Sequence, residues 1–292
     1  MLTIITPTYN RAHTLLVLYE SLKRQSDYSF KWLIIDDGSS DNTKDLVLSW
    51  NKSEHLFEIL YLYQKNGGKH RALNYGIPYI DTSYTMIVDS DDRLTEDAVS
   101  KIMDWIAMID KDDTFAGVSG LRGYNEQEKI GEYPLNTKTY IDALNTERRI
   151  KHLTGDKAEV YRTSLLKKYP FPEIEGENFM TESVVWNEIA YAGYKIRWFP
   201  EIIEIGNYLE DGLTQHLYQN RFHNFGGYTL EVRSELQSND YYKWRVLGRY
   251  LIMAKIKGLG QREVCSRLGI QKREYWIGKG FSIVQSLWDK MS

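Results

Sequence analysis

Asp89, Ser90, Asp91 and Asp92 place three carboxylates within four residues, directly after the apolar run Tyr84-Thr85-Met86-Ile87-Val88. Carboxylates held this close repel one another, and their mutual charge raises their pKa unless a cation neutralises them. Hard oxygen donors suit Mg2+ or Mn2+, which take one or two carboxylates and complete their shell with water and substrate phosphates. The run points to metal-assisted handling of a diphosphate. A plainer reading stands beside it: an acidic turn ahead of a helix that Thr95, Glu96 and Asp97 would cap unaided.

Three further clusters could serve the same chemistry. In Pro7-Thr8-Tyr9-Asn10-Arg11 the proline cannot extend a strand ladder, so the chain is expected to turn outward where Tyr9 could stack on a nucleobase or simply pack a loop. Asp36-Asp37-Gly38-Ser39-Ser40 offers acids that can accept the imino hydrogen of a uracil-like ring, or that begin a capped helix. Gly67-Gly68-Lys69-His70-Arg71 combines unobstructed backbone amides, basic side chains and a helix start, a combination that favours phosphate oxygens. Further on, Glu177 and Glu182 lie at the start of a helix through Val185, Trp186 and Ile189. Either carboxylate could act as a general base, or Glu182 could only complement the helix dipole. None of the six histidines shows metal-ligand spacing.

The elements that must position these clusters read as βαβ units around a largely parallel sheet. Strands are expected over 2–6, 31–36, 57–63, 84–88 and 115–119, with helices carrying Leu15, Leu18 and Leu22, then Leu46, Val47 and Trp50, then 72–80, then Val99, Ile102, Met103 and Ile106. The acidic and glycine-rich clusters fall after successive strands, on the edge of an open α/β sheet where ligands bind. From 120 to 151 the pattern weakens, which suggests a mobile or acceptor-covering segment. A helix is expected over 181–193, two short strands around Pro200 within 195–205, and helices beyond 214, broken near Gly226-Gly227, Asn239, Gly258-Leu259-Gly260 and Gly269.

Composition narrows the class. The 292 residues exceed the usual single-domain size, and a net charge of −3 gives no reason to expect a nucleic-acid binder. A single cysteine, Cys265, excludes an intramolecular disulfide and fits a reducing compartment. The start Met1-Leu2-Thr3-Ile4-Ile5-Thr6-Pro7 lacks a basic leader, and no apolar run reaches the roughly 18 residues a membrane helix needs, so a cytoplasmic protein is expected. The last fifty residues are basic and aromatic, with Trp244, Tyr250, Trp276, Phe281 and Trp288 among eleven Lys and Arg. They suit either contact with the inner face of a membrane or a helical subdomain packed on the catalytic part or on a second copy in a homodimer.

Taken in order, the segments Ile4-Ile5-Thr6-Pro7-Thr8-Tyr9-Asn10-Arg11, Ile34-Ile35-Asp36-Asp37-Gly38-Ser39-Ser40-Asp41-Asn42-Thr43, Asn66-Gly67-Gly68-Lys69-His70-Arg71-Ala72-Leu73-Asn74 and Val88-Asp89-Ser90-Asp91-Asp92 resemble the family 2 glycosyltransferases. These are mostly inverting, nucleotide-sugar-dependent enzymes of the GT-A fold. The likeness is dense over the first 120 residues and resumes from Gly155-Asp156-Lys157-Ala158 through Glu182 and Trp186 to Tyr208-Leu209-Glu210-Asp211-Gly212-Leu213-Thr214. It implies an α/β, Rossmann-like, mostly parallel sheet flanked by helices. The catalytic domain would cover 1–214, with its nucleotide-sugar part in 1–120 and its acceptor part in 121–214, and 215–292 would form a helical extension.

The resemblance also implies roles. Pro7, Tyr9, Arg11 and Asp37 would surround the base and ribose, with Asp37 reading the base. Lys69 and Arg71 would lie near the ribose or diphosphate, and the run Asp89-Ser90-Asp91-Asp92 would supply the ribose and metal contacts, with Asp89 and Ser90 on the nucleotide and Asp89 supporting the metal. Asp91 and Asp92 would hold Mn2+ or Mg2+, and Trp186 and Asp211 would hold the acceptor. The family commonly has a Glu-Asp pair where this chain has Glu182-Ser183, which moves the expected general base to Glu182, with Glu177 in reserve. A UDP-sugar donor and a saccharide or lipid-linked acceptor of bacterial surface polysaccharide follow from the same likeness. The rivals are a sugar nucleotidyltransferase, which would open with a glycine-rich basic loop unlike Pro7-Thr8-Tyr9-Asn10, a receiver-type signalling domain, which would be far shorter, and a non-catalytic nucleotide-sugar binder, which Ser183 makes credible.

Overall fold

The computed structural model describes residues 1–50, 56–135, 137, 139–206, 215–238 and 240–288. Its centre is a mixed sheet. Strands β1 (Leu2–Thr8), β2 (Phe30–Asp36), β3 (Glu58–Tyr63) and β4 (Tyr84–Ile87) are parallel, in the order β3-β2-β1-β4. The sheet then continues through β8 (Lys157–Arg162), antiparallel to β4, then β6 (Phe115–Gly123), β9 (Lys195–Ile205) and the short β5 (Arg93–Leu94); β7 (Ile141–Ala143) pairs with β9.

Strand alternation explains why both faces are covered. Trp32 and Ile34 of β2 join one buried cluster with helices α1 (Ala12–Lys23), α2 (Thr43–Trp50) and α4 (Ala98–Ala107). Leu33 and Ile35, pointing the opposite way, join a second cluster with α3 (Lys69–Gly76), α5 (Thr163–Lys168) and α6 (Ser183–Tyr191). Each fully buried aliphatic or aromatic side chain contributes roughly 1.5–3 kcal/mol. A third, separate core lies among α8 (Phe225–Leu236), α9 (Lys243–Ile256) and α10 (Gln261–Leu268), with α7 (Leu217–His223) before them and α11 (Lys272–Trp288) after them.

Three sequence expectations change. The first strand runs on through Pro7 to Thr8. Ile5 bonds toward β4 by accepting from Val88 N at 3.0 Å, and the β4 pairing ends at Ile5, so Pro7 falls on that side just past the last rung and its missing N–H breaks no ladder. Residues 195–205 form one strand rather than two, because a register shift between Ser119–Trp198 and Leu121–Ile202 lets the stretch containing Pro200 bulge without ending the pairing. Finally, 120–151 contains ordered structure: a turn closed by Tyr124 N to Glu128 O at 2.8 Å, Ile130 N to Arg122 O at 2.8 Å, the strand β7, and a 3-10 turn at Asn145–Glu147.

Candidate active site

The parallel strands deliver their polar clusters to one edge. Asp37 follows β2 and is buried, and its carboxylate organises the loop after β3. It accepts from Gly67 N at 2.9 Å, Gly68 N at 2.8 Å and Gln64 Nε2 at 2.6 Å, with Asn66 Nδ2 at 3.2 Å. Four protein donors thus surround the acid expected to read the base. Asp36 is likewise engaged, by Tyr61 OH at 2.6 Å and Ser39 N at 2.7 Å. Tyr9 is half-exposed past the end of β1. Asn10, at φ 53°, binds that turn to the next one through Ser39 Oγ at 2.9 Å and Ser40 N at 2.8 Å, so Tyr9 and Arg11 stand on a braced loop.

Arg71 fastens the two halves of the site together. Its guanidinium donates to Gly67 O at 3.0 Å, Glu177 O at 2.6 Å and Ile174 O at 2.7 Å, and meets Glu173 at 3.2 Å. Asn74, one turn further along α3, exchanges hydrogen bonds with Phe171 N at 2.9 Å and O at 2.8 Å. These contacts hold the segment 171–177 against the glycine-rich loop and α3. From the other side Glu177 accepts from Gly226 N and Gly227 N, each at 2.7 Å, at the amino end of α8. The reserve base is therefore occupied with satisfying free helix amides.

Because the two segments are fastened there, Lys69 reaches both sides. Its ammonium lies 2.5 Å from Asp89 Oδ1 and 2.7 Å from Glu182 Oε1. Burial opposes its charge, but the two carboxylates prevail and raise its pKa above the ordinary value. Asp89 is pushed up by burial, but Lys69 and Arg122 together pull it down to below the usual carboxylate range. Glu182 occupies the N-cap of α6 yet makes no side-chain capping bond; its carboxylate turns to Lys69 instead. Ser183 Oγ meets Thr181 Oγ1 at 3.0 Å.

The acidic run divides. Asp92 is 1% exposed; its carboxylate meets Arg122 Nη2 at 2.5 Å and hydrogen-bonds Glu204. Burial lifts Asp92 to about 7 against the pull of Arg122, and lifts Glu204 well above its ordinary value. Asp91 is half-buried and forms no ion pair among the described residues, while burial and the neighbouring Asp89 raise its pKa. Ser90 is buried in the same turn. Among the described residues no three His, Cys, Asp or Glu side chains converge as a ready metal cage.

A cleft of about 300 Å3 opens beside Lys69, Asp89 and Glu182, walled by Arg122, Arg148, Asp156, Lys157, Glu159 and the edge of Trp186. Trp186 is itself mostly core, stacked on Tyr161 with ring centroids 4.1 Å apart. Asp211 lies outside the described residues. Sequence reasoning missed the charged wall. Its signal was present in the alternation of Lys157-Ala-Glu-Val-Tyr-Arg and in Arg122 near the end of a strand, but the partners of Arg122, Asp92 and Glu204, are distant in sequence.

The Glycosyl transferase family 2 profile matches residues 3–169, more than half of the chain. Glycosyltransferase GlyA of Streptococcus pneumoniae is 26% identical over 219 residues, covering 74% of this chain and 28% of GlyA. Poly(ribitol-phosphate) beta-N-acetylglucosaminyltransferase TarS of Staphylococcus aureus is 27% identical over 175 residues, covering 59% of this chain and 29% of TarS. The chain thus spans less than a third of either relative. In three dimensions it resembles S. aureus TarS 1-349 in complex with UDP-GlcNAc, at a TM-score of 0.65 and 18% identity over 96% of this chain and 79% of that one. It also resembles the mannosyltransferase PcManGT of Pyrobaculum calidifontis in complex with GDP-Man and Mn2+, at 0.59 and 16% over 99% and 87%. The sheet with its flanking helices is the GT-A architecture of these enzymes, and with the profile across the strands that carry the acidic and glycine-rich loops, the chain belongs to glycosyl transferase family 2.

Proposed function

We propose that this chain moves a sugar, with inversion, from a nucleoside-diphosphate sugar to a hydroxyl of a saccharide or lipid-linked saccharide, in bacterial surface polysaccharide synthesis. UDP is the favoured donor nucleotide; family membership and the likeness to TarS bound to UDP-GlcNAc support that choice. One observation carries the reading: Lys69 joins Asp89, at the strand edge expected to hold the donor, to Glu182, on the wall of the cleft.

In the proposed step the acceptor oxygen attacks the anomeric carbon while the bond to the diphosphate oxygen breaks on the opposite side, through an oxocarbenium-like state. The hydroxyl proton passes to the Glu182 carboxylate. Lys69 balances the charge that builds on the departing diphosphate. Pro7, Tyr9, Arg11 and Asp37 border the base and ribose, Ser90 the ribose, and the edge of Trp186 the acceptor. Arg71 acts by fixing the loop rather than by meeting phosphate, since its guanidinium is engaged with carbonyl groups and Glu173.

A divalent cation fits the residues present. Asp91 is an acid without an ion-pair partner among the described residues, beside Asp89, and Mg2+ or Mn2+ needs only one or two carboxylates when a diphosphate supplies the rest. Asp91, supported by Asp89, would hold it; Asp92 is committed to Arg122 and Glu204. When bound, the cation supplies Lewis-acid stabilisation of the leaving diphosphate. The helices from 215 onward are proposed as a separate packing unit that braces Glu177, on the strength of their own core.

The test is nucleoside diphosphate release from a panel of nucleotide sugars with Mn2+, for wild type and Glu182→Gln. The variant should bind donor normally and transfer sugar about 10²–10⁴-fold more slowly. A wild-type rate in Glu182→Gln removes the base assignment. Donor binding without turnover on any acceptor supports the non-catalytic binder.

A further inference from the structure

Helix α11 presents two contrasting faces. One packs on α9: a side chain at Gly278 would meet Leu247 Cγ at 2.5 Å, one at Gly248 would meet Phe281 Cβ at 3.1 Å, and Ser282 is buried between them. The other carries Trp276, 61% exposed, and Ile283, 56% exposed, two turns apart, with exposed Gly280 between them and Ile277, 42% exposed, on its border. Scattered apolar residues on a surface are ordinary, but a tryptophan and isoleucines at helical spacing form a stripe.

The charges around that stripe are of one sign. Lys272, Arg273 and Lys279 flank it and form no ion pair among the described residues. The one acid on this helix near it, Glu274, is occupied at the helix start, accepting from Gln271 N at 2.8 Å. The neighbouring acid Glu263 is paired with Arg267 at 2.9 Å. A helix with an aromatic and aliphatic centre, basic margins and an opposite face anchored to the protein suits the boundary between lipid headgroups and acyl chains, where the ring sits among the headgroups and the cations meet anionic lipid. No helix among the described residues is long and apolar enough to cross a membrane, so contact would be from one side.

We propose that the Trp276–Ile283 face of α11 docks the protein on an anionic membrane surface. This does not depend on the transfer reaction. The test is flotation of the full chain with vesicles of pure phosphatidylcholine and with vesicles one-third phosphatidylglycerol, at low and high salt. Wild type should float with the anionic vesicles, lose that binding as salt screens the cations, and stay behind with the neutral ones. Trp276→Ser/Ile283→Ser and, separately, Lys272→Glu/Lys279→Glu should each reduce the floated fraction at least tenfold while melting at the wild-type temperature. Two variants of opposite chemistry keep the result readable should one of them misfold. Failure of wild type to float, or equal flotation of wild type and both folded variants, overturns the proposal. A concentration-dependent dimer on gel filtration that the serine variant dissociates, with no flotation, assigns the face to a second copy instead and likewise overturns it.

Discussion

The Lys69 ammonium stands 2.7 Å from the Glu182 carboxylate, so a residue of the glycine-rich loop meets a residue at the start of α6 directly. The contact exists because Arg71 and Asn74 hold the segment before α6 to α3, and Glu177 holds it to α8. The glycine-rich loop and the start of α6 are thereby registered against each other by side chains other than Lys69 and Glu182 themselves.

Lys69→Met should separate chemistry from stability. The ion pairs are partly exposed, which limits their contribution to about 1 kcal/mol. On the proposed role, the charge that Lys69 sets opposite the leaving diphosphate is worth far more to the reaction, on the order of 10²-fold or above in rate. Sugar transfer and urea denaturation measured on the same preparation check this; an unchanged rate removes Lys69 from the leaving-group side.

Asp91→Asn and Asp92→Asn should fail differently. Asp91 has no competing cation among the described residues, so its substitution should abolish the tightening of donor binding by Mn2+ while the melting temperature is kept. Asp92 is buried against Arg122 and Glu204, and its substitution leaves the guanidinium without its nearest acid, a cost of about 3 kcal/mol. Calorimetric titration of UDP with and without Mn2+, alongside denaturation, separates the two. A stable Asp92→Asn that alone loses the Mn2+ response would reverse the assignment.

The parallel half of the sheet was legible because β1, β2 and β4 are continuous apolar runs bounded by Pro, Gly and Asp, and burial on both faces demands that pattern. Strand β8 was not: Lys157 and Glu159 are charged residues on a buried strand, beside Arg148 at 3.4 Å from Glu159, and no local pattern announces a partner in another segment. The same holds for Arg122, whose reason for being in β6 is Asp92 and Glu204. Candidate residues at strand ends could be named from sequence because topology places them; the supporting ones could not, because their contacts depend on chain segments meeting in space. Arg71 shows the limit most plainly, since a phosphate contact and a carbonyl clamp draw on the same guanidinium.

Gly68→Ala should be disruptive although only a methyl group is added. Gly68 has φ 97°, and a Cβ there would lie 1.9 Å from the Asn178 carbonyl oxygen, so backbone strain and a clash against the segment leading to Glu182 coincide. A stability loss of about 2 kcal/mol or more is expected. Donor turnover should fall as well, since the displaced loop carries Lys69. Denaturant unfolding checks the first effect; a variant as stable as wild type would mean that 67–69 and 178 do not pack as described.

Glu159, on the wall of the same cleft as Asp89, supplies a pH signature of its own. Burial lifts its carboxyl to about 7 from an ordinary 4.5, against the pull of Arg148 and Lys157. The folded protein then keeps this proton to about pH 7 while the unfolded chain has lost it. The stabilisation is complete below the unfolded pKa and vanishes as pH rises through the folded one. Glu159→Gln cannot lose a proton, so wild type should lose on the order of 3 kcal/mol relative to the variant between about pH 4 and pH 8, by the 1.36 kcal/mol that each pKa unit represents. Lys157, lowered by burial to about 8, acts in the opposite sense above that pH, because the folded protein releases its proton before the unfolded chain does. Denaturation midpoints of wild type and Glu159→Gln should therefore diverge between pH 5 and 7.5; parallel curves across that interval would mean that Glu159 is ionised throughout and that Arg148, not burial, governs it.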